Sequence, residues 1–438
     1  MEIDKTTLTD LSIFNTEEEY SVFSKLNLCT TTSGRERLQY NFAHPLKSRA
    51  AIQGVQSTIQ FILAHQQHWP QQISNGGLLM IDKFFSATID EIPAQPSTAG
   101  AMAYKLFHGP DFSLVKYSAL HCFDFIKGMQ QMQETYLRVD TPSPLKQLLE
   151  QVKKSISKEQ FSFLAKHKTI ATVGLPEQLS FAHYIRYQYK LHMLELMDIY
   201  AQLDAWYGMG QAVITYQLVF PEFIESQAPV MNTVGLYHLL LPTPVSYDVT
   251  LDQSGNFLFL TGANMAGKST FIKSVGTAVF LAHIGMGVPA KQMQLTVFDG
   301  LLSNINVVDN LVKGESYFYN EVQRIKATVT KVNDGRKWLI LIDELFKGTN
   351  VQDAMKCSTE VIEGLLKIKN SLFILSTHLY EIGDSLKHYS NINFKYFETA
   401  VVDDQLQFSY HLKEGISNDR LGYLILKKEG VVDLLRKI

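Results

Sequence analysis

The stretch FLFLTGANMAGKST, residues 257–270, decides the fold. A β-rich apolar run, Phe257–Leu260, leads into a loop where Gly262, Gly267, Lys268 and Ser269 satisfy G-x-x-x-x-G-K-[ST], and a helical pattern, FIKSVGTAVFLAHI, follows. Strand, glycine-containing loop and helix in that order predict a phosphate-binding loop on an α/β sheet. Gly262 and Gly267 let the backbone curl around phosphate without a Cβ in the way, so loop N–H groups and the helix N-terminus face the anion. Lys268 is then expected to reach the β- and γ-phosphates and the Ser269 hydroxyl to ligate Mg²⁺. The implied ligand is a nucleoside triphosphate.

Further along, WLILIDE, residues 338–344, reads as a buried parallel strand that delivers two carboxylates at its C-terminal end, where α/β ligands bind. Asp343 is placed to hold Mg²⁺ through water, and Glu344 to orient and deprotonate an attacking water, which makes hydrolysis the expected chemistry. A third β run, SLFILSTH, ends at His378, which either senses the γ-phosphate or the water, or simply closes a strand.

From about Pro221 onward such runs (Phe257–Leu260, Trp338–Ile342, Leu372–Leu375) alternate with helical segments, the pattern of a parallel α/β sheet. Before it the chain is helical in texture, with apolar residues at three- and four-residue spacing such as Leu145, Leu148, Leu149, Val152 and Ile156. Glu177 to Tyr207 holds no Gly or Pro and predicts one helix of about 30 residues and about 45 Å, either a spanning lever or the core of a bundle.

At 438 residues about two domains are expected, and 46% hydrophobic with 19% charged residues excludes a disordered or fibrous chain. A net charge of −3 offers no global attraction for nucleic acid. Cys29, Cys122 and Cys357 lie far apart, with no CxxC or Cys/His cluster for zinc, which fits a reducing cytoplasm. The polar, acidic N-terminus does not read as a signal peptide. Ser274–Ala290, the longest apolar stretch, is interrupted by His283 and falls short of the roughly 20 residues of a spanning helix, so no membrane is expected.

On these residues the chain resembles the MutS family of DNA mismatch repair ATPases. TGANMAGKST (261–270) is similar to its phosphate loop TGxNMxGKST, with Asn264 and Met265 the more diagnostic positions, and LAHIGMGVPA (281–290) to the segment that follows. LIDELFKGTNVQDA (341–354) resembles the family pattern of Asp-Glu, a Gly-Thr turn and an Asp, here Gly348, Thr349 and Asp353. STHLYEI (376–382) resembles its switch segment, and LCTTTSGRERLQYNFAHPLKSRAAI (28–52) the start of its core/lever domain. The resemblance implies a multidomain α + α/β chain: a helical core/lever domain over 1–230, then over 231–438 a P-loop (ABC-type) ATPase domain with a mainly parallel sheet and a C-terminal helical tail. It implies ATP and Mg²⁺, with Gly262, Ala263, Asn264, Met265, Ala266, Gly267, Lys268, Ser269 and Thr270 cradling the nucleotide. Ser269 and Asp343 would hold the metal, and Lys268, Glu344 and His378 would serve catalysis.

Departures from the family pattern matter equally. Where the family contacts nucleotide across a dimer with GxSTFxxE, this chain has GESYFYNE (314–321); Tyr317 replaces Thr, and Ser316 is left to reach a neighbour's γ-phosphate. The family's GRGT turn becomes Phe346-Lys347-Gly348-Thr349. The resemblance starts at the lever segment, so the domain with which the family reads mismatches through a Phe-x-Glu wedge is expected to be missing; Phe220/Glu222 and Phe223/Glu225 match that triplet out of order. A DNA grip would instead come from residues 146–168, where Lys146, Lys153, Lys154, Lys158, Lys166 and Lys168 face two glutamates beside Phe161 and Phe163, unless this is a solvated helix face. The segment from Tyr410 resembles the start of the family's helix-turn-helix tail. Two functions follow: a cytoplasmic, DNA-associated ATPase working as a homodimer, with repair proteins as possible partners, or a nucleotide-gated module whose partner is another protein. A transporter ATPase is disfavoured by the lack of an LSGGQ-like sequence.

Overall fold

The structure is a computed structural model that describes the chain outside residues 158–160, 162–165, 307–316, 403–404, 418–430 and 436–438. In chain order it runs β1 (Glu2–Ile3), α1 (Lys5–Asp10), α2 (Val22–Leu26), α3 (Thr32–Ala43), α4 (Arg49–Ala64), α5 (Asn75–Ser86), α6 (Thr98–Phe107), α7 (Gly109–Tyr136), α8 (Ser143–Ile156), α9 (Leu175–His183) and α10 (Lys190–Thr215). It continues through β2 (Glu222–Phe223), β3 (Met231–Leu236), β4 (Tyr247–Leu251), β5 (Phe257–Thr261), α11 (Lys268–His283), β6 (Gln292–Leu295) and β7 (Gly300–Asn304). The remainder is α12 (Tyr317–Val332), β8 (Trp338–Asp343), α13 (Val351–Leu365), β9 (Ser371–Ser376), α14 (Glu381–Leu386), β10 (Ile392–Val402), β11 (Gln405–Glu414) and a short helix, Val431–Leu435.

Two compact units result: Met1–Lys25 with His44–Ile52 and Thr215–Ile438, and Leu26–Ala43 with Gln53–Ile214. This division differs from a single boundary near residue 230. Residues 1–25 join the sheet-bearing unit because β1 pairs in parallel with β7 and because the buried Asp10 accepts hydrogen bonds from Ser303 Oγ (2.6 Å), Ile305 N (3.0 Å) and Asn306 N (3.1 Å).

In the sheet-bearing unit seven strands lie in the order β1-β7-β8-β9-β5-β10-β11, parallel except for the last pair. Strands β5, β8 and β9 are buried along their whole length, which is why their sequences are unbroken apolar runs. Strand β9 separates β5 from β8, so the phosphate loop and the Asp-Glu pair flank the strand that carries Ser376. The register sets Ser376 opposite both Leu260 and Asp343. A second, four-stranded sheet has the order β2-β6-β3-β4.

The helical unit shows no strand among its described residues. Its 28-residue α7 packs against α5, α8 and α9. The long helical pattern near residues 177–207 is not one rod: α9 passes into a π-helical turn, Tyr184–Gln188, before α10 begins at Lys190. Tyr189 is the pivot, buried with its hydroxyl donating to Ser155 O (2.8 Å) and its ring edge-on to Phe161 at 4.8 Å. Such π-bulges arise where side-chain packing inserts into the helical ladder, without Gly or Pro. Among the described residues no helix is long and apolar enough to cross a membrane.

Candidate active site

The site assembles at the C-terminal ends of β5, β8 and β9. After Thr261 the chain turns through Gly262 at φ +139°, Met265 at +68° and Gly267 at +107°, conformations that only glycine adopts without strain at two of the three. A Cβ on Gly262 would also lie 3.2 Å from the Phe397 carbonyl oxygen. Ala266 is buried and its N–H closes a turn onto Ala263 O (3.3 Å), so that part of the loop is held by itself. Lys268 opens α11 and donates from Nζ to Gly262 O (2.8 Å) and Ala263 O (3.1 Å). Burial pulls its pKa down, against the opposing charges of Glu344 and Asp343.

Ser269 Oγ donates to Asp343 Oδ2, and Ser376 Oγ donates to the other oxygen, Oδ1. Two hydroxyls, one from the first turn of α11 and one from the end of β9, thus converge on one buried carboxylate, a set of hard oxygen atoms of the kind that suits Mg²⁺. Ser376 had entered the sequence reading only as part of a segment; its role follows from the strand order. Among the described residues no group of three or more His, Cys, Asp or Glu side chains gathers as a metal site of another type.

Glu344 follows directly, at φ +65°, with its N–H donating to Ser376 O (2.9 Å). Its Oε2 lies 3.2 Å from Lys347 Nζ and 3.6 Å from His378 Nδ1. Burial alone would raise this carboxyl, but the contact with His378 and the charges of Lys347, His378 and Lys268 outweigh it and hold the group down at about 2. His378, half exposed, therefore stands beside the expected base.

An open cavity of about 670 Å³ adjoins these groups, lined by Asn264, Met265, Gly267, Lys268, Ser269, Thr270, Glu344 and Lys347. Its far wall, made of His238, Leu241, Thr243, Val245, Tyr247 and Tyr410, was not anticipated. These residues carry no motif; they come from the approach to β4 and from β11, which only the folded sheet brings to the loop. Ser316 lies outside the described residues.

Other expected positions have structural duties. Phe161 is buried among Tyr184 and Tyr189, so it is unavailable to a nucleic-acid base, while Lys158 and Phe163 lie outside the described residues. Phe223 is buried edge-on to His283 and Glu225 pairs with Arg49 (2.9 Å), which corrects any reading of that triplet as a wedge. Asp353 belongs to the cap of α13: its N–H donates to Asn350 Oδ1 (3.0 Å). The tail resemblance began at Tyr410, but Tyr410–Glu414 is strand, and 418–430 lie outside the described residues.

Comparison with known proteins meets this geometry at the same place. The family model MutS domain V matches residues 258–434, which contain the loop, the Asp-Glu strand and the switch strand. Over these residues the chain is similar to MutS domain V and to MutS proteins. It is 30% identical over 241 residues to the DNA mismatch repair protein MutS of Oceanobacillus iheyensis, an alignment covering 53% of this chain and 27% of that protein. To the Thermotoga maritima protein of the same name it is 28% identical over 247 residues, covering 56% and 31%. MutS protein homolog 4 of Mus musculus is 29% identical over 243 residues, covering 52% and 24%. The chain thus spans about a quarter to a third of the length of the curated relatives it matches.

Proposed function

We propose that this chain is a member of the MutS family that binds ATP with Mg²⁺ and hydrolyses it, at composite sites of a homodimer in the cytoplasm, in a DNA-associated repair or recombination role that engages other repair proteins. The observation that carries the reading is the convergence of Ser269, Asp343 and Ser376 beside Lys268 and Glu344. Under it, Lys268 exchanges two loop carbonyls for phosphate oxygens, a short swing of the ammonium. Ser269 and Asp343 hold the metal, and Ser376 keeps the Asp343 carboxylate oriented. When bound, Mg²⁺ supplies neutralisation of charge on the β- and γ-phosphate oxygens. Glu344 orients the attacking water and takes its proton, with His378 beside it, and the nucleoside lies against Val245, Tyr247 and Tyr410. Ser316 is assigned the contact to the partner's nucleotide.

Phosphate release with and without Mg²⁺ tests the reading. Glu344→Gln should lower turnover by roughly 10²- to 10⁴-fold while ATP still binds; a wild type without Mg²⁺-dependent turnover sinks it. The second reading, a nucleotide-gated module for a protein partner, is favoured by the buried Phe161, which removes a stacking residue from the basic run. Titration of homoduplex, mismatched and junction DNA with and without ATP separates the two, since no binding at low salt leaves only the protein partner.

A further inference from the structure

Glu321 is a buried carboxylate on the second turn of α12, 4% exposed, outside the groups assigned above. Its two oxygens accept hydrogen bonds from consecutive backbone amides, Lys347 N to Oε1 and Gly348 N to Oε2, each 3.1 Å. A carboxylate engaged in two charge-assisted bonds to one turn is a strong anchor. The turn needs one: Glu344 and Phe346 both sit at positive φ, +65° and +58°, a conformation that costs a non-glycine residue about 1 kcal/mol or more. Phe318, three residues before Glu321 on the same helix, packs its ring 5.7 Å from that of Phe346, so α12 grips the turn twice. At the other end of the turn Lys347 returns its ammonium to the Glu344 carboxylate.

We propose that Glu321 is a positioning residue for hydrolysis: by holding the Lys347 and Gly348 amides it fixes the turn through which Lys347 sets the Glu344 carboxylate. The inference rests on the ATPase reading of the site and extends it to a residue that touches neither nucleotide nor metal. Helix α12 is thus tied to the Lys347 and Gly348 amides by two hydrogen bonds, and through the Lys347 ammonium to Glu344.

Steady-state kcat and KM for ATP, with thermal midpoints, measured on the full chain decide it. Glu321→Ala should lower kcat roughly tenfold or more, since small displacements of a reacting group are costly, with KM within about threefold of wild type. Glu321→Gln, which keeps one acceptor oxygen, should recover part of the loss and serves where the alanine variant does not fold. Lys347→Met should lower kcat as well, and the double variant Glu321→Ala/Lys347→Met should be no worse than the more impaired single one. Wild-type kcat in Glu321→Ala, losses that add in the double variant, or activity that falls only with the folded fraction would each overturn the positioning role while leaving the ATPase reading intact. A wild type without turnover would overturn both.

Discussion

Asp204 accepts hydrogen bonds from Thr30 N (3.0 Å), Thr30 Oγ1 (2.7 Å), Thr31 N (2.9 Å) and Thr31 Oγ1 (2.6 Å), and is fully buried. It closes the Thr-rich turn onto α10 at the start of α3, and a Cβ on Gly34 would lie 2.1 Å from its Oδ2. Asp204→Ala orphans the buried Thr31 amide and hydroxyl and releases those of the exposed Thr30, so a loss of about 3 kcal/mol is expected in urea unfolding, and Gly34→Ala should be comparably damaging. Midpoints within 1 kcal/mol of wild type would show that water replaces the carboxylate. The turn itself was visible in the sequence as LCTTTSGRERL, but its partner, 174 residues away, was not. Ser269 and Asp343 were legible because each sits in a local motif whose spacing has a chemical reason; Glu321 and Ser376 acquire meaning only from what they touch.

Helix α11 shows what an element's surroundings add to its sequence. Nearly all of it is buried, and His283, an interruption of an apolar stretch when read along the chain, sits at its end with 0% exposure. Nδ1 lies 2.8 Å from Val279 O and Nε2 accepts the Phe298 N–H at 2.9 Å, a pairing that requires the neutral ring with its proton on Nδ1. Burial lowers its pKa to about 4 from 6.5. Because the folded value lies below the unfolded one, the stabilisation is complete above about pH 6.5 and is lost as pH falls toward 4, on the order of 3 kcal/mol over that window. Subtracting the urea stability curve of His283→Gln from that of wild type between pH 7.5 and 4.5 isolates this group; a flat difference would mean the ring protonates without cost. The strands were legible for the opposite reason: full burial makes β5, β8 and β9 plain apolar runs. The π-turn at Tyr184–Gln188 was hidden, since aromatic packing around Tyr189, and no helix breaker, creates it.

For the molecule as a whole, alternation of strands and helices was enough to announce a parallel sheet, but not that the first 25 residues contribute its edge strand and the buried Asp10. Charge is the other whole-molecule property: at −3 the chain has no general attraction for DNA, so under the proposed function the grip must be local. Helix α8 offers one. It buries Leu145, Leu149 and Val152 and turns Lys146, Lys153 and Lys154 to solvent, where they can meet phosphates without reading sequence. Replacing these three lysines by alanine should lower the slope of log affinity against log salt by about 2–3, if each neutralises one phosphate, and weaken homoduplex and junction DNA alike. Neither ATP turnover nor stability should change, because the substituted side chains lie on the exposed face of α8, outside the core and outside the nucleotide cavity. An unaltered slope would assign the lysines to solvation alone and place any DNA contact on another surface.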